Sequence, residues 1–287
     1  MNKAYSEYLN WLENDKKHPY SENTMRSLKT ALEQFFDVFT GDINSFTKED
    51  LSNYKKYLLK HPNKSGTGTY TIATINQRLN HLKKFFQVLH YELGYSIDIY
   101  VEGEKVQVQN IPEKMLENED VKGLLKVAPN FERQVIFGLY YTGARVSELL
   151  QINTAAIMET ATLIKGKGGK YRFLFIPDVL MKEWKRYCRM EKVRTERFFC
   201  VPSTEKIISR QNVYNRLSRL ANRAGIESGK IHPHAFRHLY ARNLSEAGIQ
   251  TAIIKQLLGH SLDVTEGYLS ISRERLIKII NSFEKLI

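Results

Sequence analysis

Cysteine is nearly absent: Cys188 and Cys200 are the only two in 287 residues. Neither belongs to a C-x-x-C pair, which excludes a disulfide-built scaffold, argues against structural zinc, and suits a reducing compartment. Apolar runs are short as well. None approaches the ~20 residues that span a bilayer, and Met1–Trp11 is polar, without an apolar stretch before a cleavage site, so the expectation is a soluble, cytoplasmic protein. Internal repeats and low-complexity tracts are missing. So is a nucleotide P-loop: Gly166-Lys167-Gly168-Gly169-Lys170 lacks the four-residue gap before Gly-Lys and the Ser or Thr after it. With 42% hydrophobic and 26% charged residues, the composition is that of a folded globular chain.

What the chain has in excess is positive charge, a formal +12. Such a field attracts polyanions and holds them through counterion release, although a ribosomal, membrane-surface or merely solvated basic face would show the same total. Its distribution is uneven. Residues 1–105 hold 14 Lys and Arg against 13 Asp and Glu; the other 29 against 18 fall on residues 106–287, which therefore carry +11.

The length accommodates two domains. Apolar spacing predicts helices over Ala4–Glu13 and Ser21–Phe39, the second stopping at Gly41. Thr47 and Asp50 form a capping box with Asp in place of Glu, opening a third helix through Leu51, Tyr54 and Leu58 that ends at His61 and Pro62. Ile72, Ile75, Leu79, Leu82, Phe86 and Leu89 mark a long fourth helix reaching about Leu93. Its basic residues Arg78, Lys83 and Lys84 either touch phosphates or solvate the outer face. The polar, aperiodic stretch Val101–Pro112 sets a boundary near residue 108, with a domain over 1–105, a linker over 106–112 and a second domain over 113–287. Beyond it, helices are predicted from Asn118 to Val127 and over Phe131–Tyr141. A hairpin follows, Leu163–Lys165 with Tyr171–Ile176 around the Gly-Lys turn. Pro177 is read as the first residue of a helix running to Met190, and further helices cover Ser209–Ala224, His234–Ala247, Gln250–Leu258 and Arg273–Leu286.

Three stretches carry chemistry. Tyr141-Thr142-Gly143-Ala144-Arg145-Val146-Ser147-Glu148-Leu149 sets an arginine after a glycine turn, at the start of a short helix, where free N–H groups and a guanidinium fork both suit a phosphate. Taken alone, an exposed arginine paired to Glu148 would explain it as well. Ile231-His232-Pro233-His234-Ala235-Phe236-Arg237-His238 puts His234 and Arg237 on one helical face; singly, each histidine fits an ordinary core or surface imidazole. Leu257-Leu258-Gly259-His260 leaves an imidazole at a helix end, and Tyr268 follows eight residues later in Val264-Thr265-Glu266-Gly267-Tyr268-Leu269. One tyrosine among 16 would otherwise read as a half-buried ring.

In this order the series resembles the tyrosine recombinase (phage integrase) family, whose pattern is a T-G-x-R-V-S-E-L box, a hairpin lysine, H-x-x-R, L-G-H and a late tyrosine. The resemblance spans the catalytic half, and the four-helix first half looks like the core-binding domain of compact, Xer-like members. It implies a mainly α fold: a SAM-like four-helix domain plus a mostly helical catalytic domain with a small β-sheet, closing as a C-shaped clamp on duplex DNA. It also implies roles. Arg145, Arg237 and His260 surround the scissile phosphate, and Lys167 protonates the leaving 5′ oxygen, with Lys165 and Lys170 as close competitors. His234 is general base or phosphate donor, and Tyr268 is the nucleophile that forms a 3′-phosphotyrosine bond, with neither metal nor cofactor required. Tyr268 stands one residue nearer the L-G-H histidine than in many relatives.

DNA contacts are expected from Lys165, Lys170 and Arg172 of the hairpin, from Arg78 and Lys83, and from helix Ser209–Ala224 with Arg210, Asn212, Asn215, Arg216, Arg219 and Arg223, which a solvated basic helix would also explain. The apolar stripe of the last helix, Leu276, Ile277, Ile279, Ile280, Phe283 and Leu286, either packs on its own domain or, as the family implies and as expected here, docks into a neighbouring protomer of a tetramer on DNA. The activity implied is site-specific recombination through a Holliday junction, near the nucleoid. The rivals are type IB topoisomerase-like cutting and resealing, and a catalytically idle DNA-binding relative.

Overall fold

Side chains that cap their own helices open the elements of the first hundred residues. Asn2, Ser21 and Thr71 each accept a hydrogen bond from a backbone N–H in the first turn of the helix they precede, and Thr47 with Asp50 forms a reciprocal capping box. In the computed structural model the described residues are 2–15, 20–61, 68–97, 99–104, 115–166, 169–201, 204–259 and 271–282. The capped helices are α1 (Lys3–Asn14), α2 (Glu22–Val38), α3 (Lys48–Lys60) and α4 (Ile72–Tyr91). Their apolar faces meet in one core in which Phe35 packs edge-on against Phe46, Tyr54 and Phe86, and Tyr8 against Phe85.

Contacts divide the chain into two compact units, Met1–Asn110 and Ile111–Ile287. The second is built from α5 (Asn118–Val127), α6 (Asn130–Thr142), the single turn α7 (Val146–Leu149), strands β1 (Ala161–Lys165) and β2 (Tyr171–Phe175), then α8 (Asp178–Met190), α9 (Arg210–Arg223), α10 (Pro233–Glu246), α11 (Thr251–Leu258) and α12 (Arg273–Asn281). The fold is thus mainly helical, and among the described residues its one sheet is the antiparallel β1–β2 pair, with Ala161 opposite Phe175 and Lys165 opposite Tyr171. The core gathers Leu139, Leu149, Trp184, Phe198, Phe199 and Phe236. No described helix is long and apolar enough to cross a membrane.

Two helix starts differ from expectation by one residue. Pro177 is the N-cap of α8, with ψ at 155°, and Asp178 is the first helical residue. Conversely, α10 starts one residue earlier than expected, because Pro233 itself takes the N1 position behind the cap His232. The C-terminal stripe is covered by its own domain as far as it is described. Leu276 and Ile280, 2% and 4% exposed, join Tyr240, Leu244, Ile253 and Leu257 in a satellite core. Asn281 Nδ2 donates to Asp178 Oδ2 at 3.0 Å and its Oδ1 accepts from the Asp178 N–H at 3.0 Å, locking α12 to the start of α8. Phe283 and Leu286 lie outside the described residues. Isolated bridges between Asn153 and Arg197 and between Cys200 and Ile207 had no signature in the sequence.

Candidate active site

The arginine turn is shaped by Gly143. It caps α6 in the left-handed region at φ 56°, and a Cβ there would lie 2.5 Å from Tyr240 Cδ1, so both conformation and space require glycine. Gly143→Ala is expected to lose roughly 2–5 kcal/mol of stability, combining left-handed strain with overpacking. Urea unfolding of the purified protein measures it.

The turn leaves Arg145 as N-cap of α7, with its side chain 28% exposed. Glu148, one turn on and 1% exposed, accepts from the Arg145 backbone N–H at 2.9 Å and from Arg145 Nη1 at 2.9 Å. It also accepts from Arg172 Nη2 at 2.8 Å and Nε at 3.4 Å. Burial pushes the Glu148 carboxyl up, but the bonds and charge of Arg172, with the bonds from Arg145, outweigh it and hold the group ionised below its ordinary range.

Helix α10 supplies the second set. His232 caps it, its Nδ1 accepting from the Ala235 N–H at 3.1 Å, which requires that nitrogen to be unprotonated. Arg237, 5% exposed, donates through Nη1 to the Gly143 carbonyl at 2.9 Å and through Nη2 to the Leu258 carbonyl at 2.6 Å. The buried guanidinium thereby ties the arginine turn to the end of α11. Burial, and then repulsion from Arg145 and Arg172 against the opposing pull of Glu148, brings its pKa down to about 10, so it stays charged at neutral pH. His234, exposed beside them, is held below the ordinary imidazole value by partial burial first, then by His238, Arg237, His232 and Arg145.

Arg145, Ser147 and His234 line an open groove of about 570 Å³ together with Arg210, Gln211 and Tyr214 from the start of α9. Of the expected site residues, the structure therefore brings Arg145, His234 and Arg237 together from two distant stretches, with Arg210 beside them. Lys167, His260 and Tyr268 lie outside the described residues.

The basic residues expected on DNA divide by environment. Lys165, Lys170, Arg210, Asn212, Asn215, Arg219 and Arg223 are exposed. Lys83 is half-buried, its ammonium 4.9 Å from the Tyr100 ring. Arg78 is buried, 4.7 Å from the Tyr70 ring, and Arg216 is ion-paired to Glu132. Arg172 departs furthest from expectation: its side chain turns inward to Glu148 and the Leu257 carbonyl. Sequence reasoning thus missed the buried Glu148–Arg172 pair. A signal was present, since strand alternation puts Arg172 on the same face as the buried Leu174, and an arginine there needs an acid.

Two family models match the chain: Phage integrase family over residues 114–275, and Phage integrase, N-terminal SAM-like domain over residues 5–92. Among curated proteins it is 31% identical to the tyrosine recombinase XerA of Pyrococcus furiosus, over 98% of this chain and 95% of that protein. It is 28% identical to the tyrosine recombinase XerC of Staphylococcus saprophyticus, over 97% and 96%. Among solved structures it is similar in fold to a lambda integrase tetramer bound to a Holliday junction, with TM-score 0.71 and 16% identity over 93% of this chain and 76% of that one.

Proposed function

The chain belongs to the phage integrase family of tyrosine recombinases, and we propose that it is a site-specific DNA recombinase that cuts and rejoins strands through Tyr268. The observation that carries this reading is the convergence of Arg145 and His234 on one groove, with the buried Arg237 bonded to the Gly143 carbonyl of the arginine turn, although 89 residues separate the first two in sequence.

In the proposed reaction the Tyr268 oxygen attacks the phosphorus in line with the departing 5′ oxygen. The phenol loses its proton, the phosphorus–tyrosine bond forms, the phosphorus–5′ oxygen bond breaks, and the 5′ oxygen takes a proton from Lys167. Attack by a 5′ hydroxyl from a partner strand reverses the steps, so the phosphodiester energy is kept in the covalent bond. Arg145, Arg237 and His260 stabilise charge on the non-bridging oxygens. Exposed cations on Lys165, Lys170, Arg210 and Arg219 bind the duplex backbone, and Asn212 on the same helix reaches base edges. Joining two duplexes breaks four strands, and one nucleophile per strand calls for four copies on a pair of sites.

His234 is assigned as the base for the phenol. Its depressed pKa means that the imidazole is mainly neutral at pH 7 and takes up its proton at lower pH than an ordinary histidine. Under limiting-substrate conditions the acid limb of adduct formation should therefore have its midpoint below the ordinary imidazole value of ~6.5, and His234→Gln should lose that limb. A rate that rises on acidification would assign His234 as a protonated donor instead.

Burial of Leu276 and Ile280 within the same chain means that the last helix does not decide between strand exchange and simple resealing. The deciding experiment mixes two differently labelled duplexes carrying the sequence recovered from covalent adducts. A recombinase yields joined products with both labels. Relaxation of supercoiled DNA without such products would indicate topoisomerase-like action.

A further inference from the structure

Arg172 occupies a core position. On β2 it stands opposite Ile164, which is 2% exposed, and its guanidinium is nearly saturated. Nε and Nη2 grip both oxygens of Glu148, while Nη1 donates to the Leu257 carbonyl at 3.0 Å and to the Phe173 carbonyl at 3.1 Å. With four of five N–H groups so engaged, it is not built to hold a phosphate.

We propose that Arg172 is a positioning residue for the recombination reaction, neutralising Glu148 so that Arg145 keeps its charge for the phosphate, and anchoring the end of α11 from which the chain runs on to His260. The proposal rests on the reaction assigned above. Three arginines, Arg145, Arg172 and Arg237, share one buried carboxylate. If Arg172 were absent, Glu148 and Arg145 would form a self-contained pair, and a DNA phosphate would have to compete with Glu148 for the Arg145 fork. With Arg172 in place the carboxylate orients Arg145 without cancelling it.

The second arm of the strut is steric and polar. Arg172 and Arg237 take the consecutive carbonyls of Leu257 and Leu258, where a helix C-terminus leaves acceptors unpaired and carries partial negative charge. Gly259, at φ 67°, lies flat against the Arg172 side chain: a Cβ there would sit 2.1 Å from Cδ and 2.7 Å from Nε. The glycine is thus required by the contact as well as by the backbone.

The test compares single-turnover adduct formation on a nicked duplex with affinity for the intact duplex. Arg172→Gln should slow adduct formation roughly 10- to 100-fold, the range expected when a reacting group is misplaced, while affinity changes less than about 3-fold. Because the defect is the uncompensated Glu148, adding Glu148→Gln should speed the Arg172→Gln protein by several-fold, which a purely structural role would not do. Arg172→Lys, which keeps the charge and loses the fork, should fall between wild type and Arg172→Gln and gain nothing from Glu148→Gln, so that pair decides the matter if Arg172→Gln does not fold. A wild-type adduct rate in Arg172→Gln, a double variant slower than Arg172→Gln, or a gain from Glu148→Gln in the Arg172→Lys background overturns the proposal alone. An inert wild-type protein overturns the assigned reaction, and this role with it.

Discussion

Tyr268→Phe is expected to bind duplex DNA like the wild-type protein and to form no covalent adduct, a rate loss on the order of 10⁴- to 10⁶-fold as for other removed nucleophiles. The substitution deletes one oxygen. It leaves untouched the exposed cations of α9 and the hairpin proposed to hold the backbone, so affinity and its salt dependence should persist. Rejoining should vanish with cleavage, because both run through the same phosphorus–oxygen bond. A gel-shift titration beside a denaturing gel for trapped adduct separates binding from chemistry. Loss of binding together with cleavage would mean that Tyr268 holds the fold, and cleavage that survives would mean that another residue attacks.

Arg237→Ala should have the second largest effect, and a mixed one. On the assigned reaction it removes a preorganised donor to the phosphate, which costs about 10²- to 10³-fold in rate. It also leaves the buried Gly143 and Leu258 carbonyls without the guanidinium that joins them, at about 1–3 kcal/mol for each group left unsatisfied. At about 2–4 °C per kcal/mol, the melting temperature should fall by roughly 4–24 °C. Arg145→Ala provides the contrast. Its side chain is partly exposed and, among the described residues, bonds to Glu148, which Arg172 still satisfies, so adduct formation should fall comparably with a much smaller thermal shift. If both variants melted alike, Arg237 would not be the internal tie that its two carbonyl bonds describe.

What could be read from the sequence tracks the distance over which each cause acts. The capping box at Thr47 and Asp50 is decided by residues three apart, and it was legible. The hairpin and the order of the motifs were legible too, since a glycine turn, alternating strands and H-x-x-R spacing are local patterns. The boundary at Pro177 slipped by one residue, because proline's fixed φ suits an N-cap as well as N1. Charges were harder. A count of basic residues cannot say which are free: Arg216 is tied to Glu132, 84 residues away, and Arg172 to Glu148, 24 residues away. The last helix shows the same limit in apolar form. The stripe through Leu276 and Ile280 demanded burial, yet nothing within the helix names Tyr240 and Leu244 of its own domain as the cover.

In the proposed reaction the phenol oxygen of Tyr268 becomes linked to a DNA 3′ phosphate. The most direct measurement incubates the wild-type protein with a nicked duplex from which the cleaved 5′ fragment escapes, then digests the trapped complex with nuclease and protease and weighs the peptides. A phosphonucleotide is expected on the peptide containing Tyr268 and on no other. An adduct on a different residue, or a protein that binds the duplex and never becomes linked to it, would rule out Tyr268 as the nucleophile.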